Sequence, residues 1–143
     1  MSVGRLCSRV VATASARESV RTAAERMFDH EVGTLVVVEQ SGQAVGVLTD
    51  RDIALRCVGG RVDPNKTIVE ELMSTPAHSV DQHTPVEDAV SRMADLGLRR
   101  LVVTGEDNRV VGILSLDDVL GQIIQETQAI GRLLKQQKPG ILA

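Results

Sequence analysis

Apolar side chains recur at spacings of three and four residues in two stretches of the chain, and this pattern predicts two amphipathic helices. The two stripes consist of Val20, Ala23, Ala24 and Met27, and of Val86, Ala89, Val90 and Met93. Thr84, Pro85 and Glu87 at the start of the second stripe predict a capping box with proline at the first helical position. Methionine at this spacing is typical of core packing, so both stripes are expected to face the interior.

Runs of β-branched residues follow each stripe and predict two β-hairpins. We expect strands at 35–39 and 44–49, and at 101–104 and 110–115. Turn-forming residues join the strands of each hairpin. Each hairpin leads directly into a further helix, at Asp50 and at Leu116, and the breaker-rich segment Gly59–Asn65 is the predicted linker.

The two series of elements are copies of one unit. Residues 3–53 (copy one) align without a gap on residues 69–119 (copy two), with 15 identities in 51 pairs, where roughly three are expected by chance. Each copy reads helical turn, strand, helix, strand, strand, helix. The prediction is an α/β (α+β) fold of two pseudo-symmetric units that share one core, because a solenoid needs more copies to cover its ends.

Composition narrows the function. The chain has 143 residues and 43% apolar content, the size of one globular domain. Phe28 is its one aromatic residue and its net charge is −3, so stacking on nucleic-acid bases and a basic stripe for duplexes are both unexpected. No apolar run approaches the roughly 18 residues of a membrane span. We therefore expect a cytoplasmic protein with no nucleic-acid or membrane partner.

Cysteine and histidine give no metal or redox pattern. Cys7 and Cys57 lie fifty positions apart and form no CxxC pair. The three histidines are scattered without the spacing of metal ligands. Nor does the sequence show a Ser-His-Asp or Cys-His arrangement or a phosphate loop, so we expect the protein not to be an enzyme.

The most distinctive motif is the junction between the second hairpin strand and the helix after it. It reads GVLTDRD from Gly46 to Asp52 and GILSLDD from Gly112 to Asp118. One interpretation is a capping box, in which the hydroxyl residue and the carboxylate three positions later satisfy free helix amides. The other is a nucleotide site, because a helix N-terminus favours anions and a carboxylate accepts hydrogen bonds from a vicinal diol. Both interpretations remain open at this point.

The doubled unit and its Gly-h-h-[Thr/Ser]-x-x-Asp ending resemble a tandem pair of CBS domains, also called a Bateman module, and are similar to small stand-alone bacterial CBS-pair proteins. The resemblance covers about residues 3 to 124. It implies two β-α-β-β-α motifs packed through their sheets, with residues 1–60 as the first motif, 61–124 as linker and second motif, and 125–143 as a helical extension. It also implies two clefts for adenosyl ligands, namely AMP, ADP, ATP or S-adenosylmethionine, and no required cofactor.

Site residues follow from the same resemblance. Asp52 and Asp118 would bind ribose hydroxyls, with Thr49 and Ser115 beside the ribose and phosphate. The adenine would lie against one of two segments, Val11, Ala12 and Thr13 or Ala77, His78 and Ser79.

The phosphate contact is expected from the basic residues just before a hairpin strand. Copy two has Arg99 and Arg100 there, whereas copy one has Gly33 and Thr34, with Arg51 as a possible substitute. The alternative is that Arg99 and Arg100 form a solvated surface pair. We rank the copy-two cleft, with Ser115, Asp118 and Arg100, first.

The resemblance implies a non-catalytic sensor whose adenosyl ligand shifts the states recognised by a regulated protein. The alternative is a ligand-free module that oligomerises or docks on a partner. An apolar seam at alternating spacings of four and three continues past the repeat and predicts a homodimer to which residues 121–138 contribute. The seam consists of Leu116, Leu120, Ile123, Thr127, Ile130 and Leu134. Lys138-Pro139-Gly140 would end the helix, and folding back onto its own domain is the other possibility.

Overall fold

A computed structural model describes residues 1–136, which form two three-stranded sheets covered by helices. The elements of copy one are α1 (Val3–Leu6), β1 (Thr13–Ala14), α2 (Val20–His30), β2 (Thr34–Val38), β3 (Ala44–Thr49) and α3 (Asp50–Asp52), which continues as a π-helical segment (Ile53–Val58). Those of copy two are α4 (Val69–Leu72), β4 (Ser79–Asp81), α5 (Val86–Leu96), β5 (Arg100–Thr104), β6 (Val110–Ser115) and α6 (Leu116–Gln136).

The two sheets have the same topology. In each, the first strand pairs in parallel with the second, and the second pairs antiparallel with the third. Equivalent residues occupy equivalent registers, since Val36 faces Val47 in one sheet and Val102 faces Ile113 in the other. The predicted fold class and order of elements are confirmed.

Two local predictions have other outcomes. The capping box before α5 is wrong, because Pro85 occupies the N-cap position without a side-chain hydrogen bond and the amide of Thr84 donates to the carbonyl of Asp81. The predicted helix end at Lys138-Pro139-Gly140 lies outside the described residues.

One face of each sheet packs against helices and forms a core. The residues that point into these two cores are Leu35, Val37, Leu48, Leu101, Val103 and Leu114. Neighbours along a strand point to opposite faces, and Val36 and Val102 are also buried although they belong to neither core. The outer faces of the two sheets therefore meet and bury each other.

The short helices α1 and α4 are exchanged between the copies. Val3 of α1 and Cys7 after it lie in the core of copy two, whereas Val69 and Leu72 of α4 lie in the core of copy one. The prediction that the two units share one core is therefore wrong, because residues 1–136 form two separate cores. Each core nevertheless contains residues from both copies.

Two extended segments make this exchange and pair with strands of the other copy. Ser8 exchanges two backbone hydrogen bonds with Ile113, at 2.9 and 3.0 Å. Its counterpart Ser74 does the same with Val47, at 2.8 and 3.0 Å.

The glycine of each junction motif allows these segments to pass. A Cβ at Gly112 would lie 2.7 Å from the carbonyl oxygen of Ser8, and one at Gly46 would lie 2.9 Å from that of Ser74 and 2.7 Å from the sulfur of Met73. Such approaches are too close for a carbon atom. The motif glycine is therefore explained by packing.

Helix α6 extends beyond the body of the protein. Val119 near its start is buried in the second core, but nearly every residue of the segment 124–136 is exposed. The large exposed apolar side chains of the helix are Leu120, Ile123, Ile124, Ile130, Leu133 and Leu134. In the described part of the chain, the seam beyond residue 123 does not fold back onto the domain.

Candidate functional site

Both strand-to-helix junctions form a capping box. The side-chain oxygen of Thr49 accepts the amide of Asp52 at 3.0 Å, and Oδ2 of Asp52 accepts the amide of Thr49 at 3.0 Å. Ser115 and Asp118 make the equivalent pair of bonds, at 3.1 and 2.9 Å. The capping interpretation is therefore correct for the geometry of both motifs. It leaves one carboxylate oxygen, Oδ1, of each aspartate outside the box.

A cavity of about 200 Å³ lies where the outer faces of the two sheets meet. Its walls come from both copies, and they consist of Thr34, Val47, Thr49, Ser74, Pro76, His78, Leu98, Arg99, Arg100, Leu101, Val102 and Ile113. The polar groups are the hydroxyls of Thr34 and Thr49 from copy one, and the hydroxyl of Ser74, two guanidinium groups and an imidazole from copy two. The remaining wall is mostly aliphatic.

The cavity groups the predicted site residues differently from the sequence expectation. It joins Arg99 and Arg100 with Thr49, whereas Ser115 and both aspartates, Asp52 and Asp118, are not among its lining residues. Arg100 is a register partner of Ser115 in the second sheet, but its cavity neighbours across the sheet interface belong to copy one. The packing of the two sheets brings the end of β3, at Thr49, to the same cavity as the start of β5, at Arg100.

Asp52 adjoins this cavity through Ser74. The hydroxyl of Ser74 donates to Oδ1 of Asp52 at 3.0 Å, and Ser74 itself lines the cavity. Asp52 is 8% exposed. Ser74 is not among the residues predicted from the sequence. Its available signal was the identity with Ser8 at the 66-residue offset.

Of the other predicted residues, His78 alone lines the inter-sheet cavity. Val11, Ala12 and Thr13 line a separate cavity of about 660 Å³. Of the second adenine segment, His78 lines the inter-sheet cavity, whereas Ala77 and Ser79 are not in its lining. Arg51 is exposed and lies outside that lining as well.

The separate cavity is held together by an ion pair. Arg26 donates to Glu18 with an Nη2 to Oε2 distance of 2.8 Å and to the carbonyl of Thr13 at 2.9 Å. Hydrogen bonding from Arg26 holds the pKa of Glu18 below its usual range, so Glu18 is anionic at neutral pH. The two charges neutralise each other, so neither is free to bind a charged ligand group. All lining residues of this cavity belong to copy one.

The structure of residues 1–136 also bears on metal sites, cysteine thiols and membrane spans. No group of three or more His, Cys, Asp or Glu side chains within residues 1–136 is placed to hold a metal ion. Cys7 and Cys57 are buried free thiols, and burial raises the pKa of Cys7. None of the described helices combines the length and apolar character required to cross a membrane.

Comparison with known families and proteins gives a consistent result. The CBS domain family profile matches twice, at residues 3–59 and 69–125. The CBS domain-containing protein YhcV of Bacillus subtilis is 43% identical over 109 residues, which is 76% of each chain. An uncharacterized protein of Methanopyrus kandleri is 32% identical over 120 residues, 84% of this chain, and the match spans only 61% of that relative's length.

Two similar solved structures contain adenosyl compounds. The CBS domain pair of protein MJ0100, in complex with 5′-methylthioadenosine and S-adenosyl-L-methionine, matches with a TM-score of 0.76 and 25% identity, over 88% of this chain and 98% of that one. A CBS domain protein from Pyrobaculum aerophilum in complex with AMP matches with a TM-score of 0.74 and 26% identity, over 82% and 89%.

Proposed function

The chain belongs to the CBS domain family, and on that basis we propose that it is a non-catalytic regulatory module that binds an adenine nucleotide between its two copies. The observation that supports this function most strongly is that residues of both copies line the inter-sheet cavity. The hydroxyls of Thr49 and Ser74, both bonded to Asp52, line the same cavity as the two arginines of copy two. A nucleotide carries a diol for the first group and a phosphate for the second.

The chemistry of each wall matches one part of a nucleotide. Asp52 is a charged acceptor for ribose hydroxyls. Arg99 and Arg100 are exposed guanidinium groups, which bind phosphate oxygens through charge-assisted hydrogen bonds. Val102 and Ile113 belong to the aliphatic wall, which suits the flat apolar faces of adenine.

The size of the cavity favours a small ligand. Its volume of about 200 Å³ is below the about 300–1,000 Å³ typical of pockets for drug-sized ligands. A nucleoside with one phosphate at the arginine end fits this description better than a triphosphate. We therefore propose AMP as the preferred ligand among AMP, ADP, ATP and S-adenosylmethionine.

The pseudo-symmetric second position lacks the basic pair. The counterparts of Arg99 and Arg100 are Gly33 and Thr34. A Cβ at Gly33 would lie 2.7 Å from Oδ2 of Asp50, so a longer side chain there requires Asp50 to move. We propose one phosphate-binding cleft per chain, formed by Asp52 of copy one and the arginines of copy two.

We further propose that the protein acts as a homodimer and signals to a separate regulated protein. The exposed apolar side chains on α6 are easiest to bury against a second copy. A ligand in the inter-sheet cleft contacts both copies of the repeat, so it favours the arrangement of copies that closes on it.

A thermal-shift panel of adenosine, AMP, ADP, ATP, S-adenosylmethionine and NADH tests the proposed function. A ligand that binds only the native protein must stabilise it, so AMP should give the largest rise in Tm. Recovery of intact ATP after incubation checks that the protein does not consume it. If no adenosyl compound changes Tm at millimolar concentration, the alternative of a ligand-free oligomerisation module stands instead.

A further inference from the structure

The carboxylate of Asp52 lies at the centre of a cluster that its counterpart Asp118 does not share. Oδ1 of Asp52 accepts from the hydroxyl of Ser74 at 3.0 Å and lies 3.7 Å from Nη1 of Arg56. The same Nη1 donates to the carbonyl of Leu72 at 2.8 Å. Both oxygens of Asp52 are thus held, Oδ2 by the amide of Thr49 and Oδ1 by Ser74.

The donor itself is fixed in place by its backbone. Ser74 exchanges two hydrogen bonds with Val47 in the middle of β3, and Met73 beside it packs against Gly46. A hydroxyl on such a segment has little freedom to follow a moving carboxylate. Its bond to Asp52 therefore sets the plane of the carboxylate from outside the helix that bears it.

The pseudo-symmetric position near Asp118 has the same residue type without the same contact. The hydroxyl of Ser8, the counterpart of Ser74, donates to the carbonyl of Val10 at 3.3 Å. Gln122 stands at the position of Arg56 and donates to Glu126. Within residues 1–136, the Asp118 carboxylate accepts no hydrogen bond other than the one in its capping box.

We propose that Ser74 is a positioning residue that fixes Asp52 for a ribose diol and makes this cleft selective for ribonucleotides over 2′-deoxyribonucleotides. The inference rests on the proposed function. Each carboxylate oxygen has about two acceptor sites, so the bonds from Thr49 and Ser74 leave one on each for a pair of vicinal hydroxyls. Because the carboxylate is already held in place, it loses little side-chain freedom when it binds a diol. A 2′-deoxyribose has one hydroxyl fewer, so it makes only one of the two hydrogen bonds that this carboxylate offers.

The test compares AMP with 2′-deoxy-AMP by titration calorimetry on Ser74→Ala and on its matched control Ser8→Ala. Ser74→Ala should weaken AMP about tenfold and 2′-deoxy-AMP about twofold, so the preference for ribose falls about fivefold. Ser8→Ala should keep the preference of the unaltered protein. Ser74→Thr retains the hydroxyl and should restore AMP binding, whereas the equal-sized Ser74→Val should not.

The outcomes separate the two proposals. If the unaltered protein binds neither nucleotide, the proposed function fails and the role of Ser74 fails with it. If it prefers AMP and Ser74→Ala keeps that preference, or loses both nucleotides equally, the role of Ser74 is overturned while the proposed function stands. Should Ser74→Ala fail to fold by circular dichroism, the Thr and Val variants give the same comparison at matched volume, and equal preferences in those two overturn the inference.

Discussion

Thr49 and Arg100 line the same cavity although they belong to different copies of the repeat. Thr49 ends β3 and caps α3 in copy one, and Arg100 begins β5 in copy two. The sheet interface brings them together because the outer face of each sheet packs on the other. A ligand that contacts both Thr49 and Arg100 must therefore bridge the two copies.

Arg100→Ala should distinguish ligands by their phosphate. Removing this guanidinium should weaken AMP about tenfold or more, because a hydrogen bond to a charged group contributes about 1.5–3 kcal/mol. Adenosine has no phosphate, so its affinity should change about twofold at most. Titration calorimetry with both compounds measures the difference. Arg92→Ala, another exposed arginine outside the cavity lining, is the control, and equal losses for AMP and adenosine in Arg100→Ala would assign Arg100 a structural role.

Gly112→Ala should destabilise the fold at the segment that carries α1 into the second core. The added Cβ would lie 2.7 Å from the carbonyl oxygen of Ser8. Backbone that is paired on both sides cannot move away freely, so the cost should be about 1–3 kcal/mol of the free energy of unfolding. Urea denaturation measures it. Gly121→Ala is the control, since nothing lies within 4 Å of a Cβ there, and an equal effect of both substitutions would refute the packing explanation.

The exposed face of α6 should be required for dimer formation. Light scattering should report a dimer for the intact chain and a monomer after replacement of Ile130 and Leu134 by glutamate, because charges do not bury in an apolar interface. Truncation after Gly121 should have the same effect. Gln128→Glu places a charge at an exposed polar position of the same helix and should leave the dimer intact. An intact chain that is monomeric contradicts the proposal.

The secondary structure was largely predictable because hydrophobic periodicity is a local property. The strand expected at Leu35–Glu39 is observed at Thr34–Val38, and the repeat carries the same pattern into copy two. Thr84 shows where a local signal failed. It has a capping sequence, but its amide donates to Asp81 and no side chain caps the helix after it.

The grouping of site residues was not predictable in the same way. A repeat at a fixed offset does not show whether a helix packs on the sheet of its own copy or on that of the other. The exchange of α1 and α4 was therefore not predicted. Arg100 was grouped with Ser115 because both belong to copy two, and Ser115 is indeed its partner in the sheet. The cavity forms on the face between the sheets, where Arg100 is grouped with Thr49. This grouping depends on the packing of the two sheets, which cannot be predicted from local sequence patterns.

The most direct test of the central claim is the affinity of AMP for two matched variants, Asp52→Asn and Asp118→Asn, measured by titration calorimetry. Each substitution leaves a side-chain oxygen to cap its helix and removes the charged acceptor, and thermal denaturation confirms that both variants fold. We expect one AMP per chain, with Asp52→Asn weakening binding about tenfold or more and Asp118→Asn by about twofold at most. A greater loss in Asp118→Asn, or equal losses in both, would contradict a cleft formed by the carboxylate of copy one and the arginines of copy two.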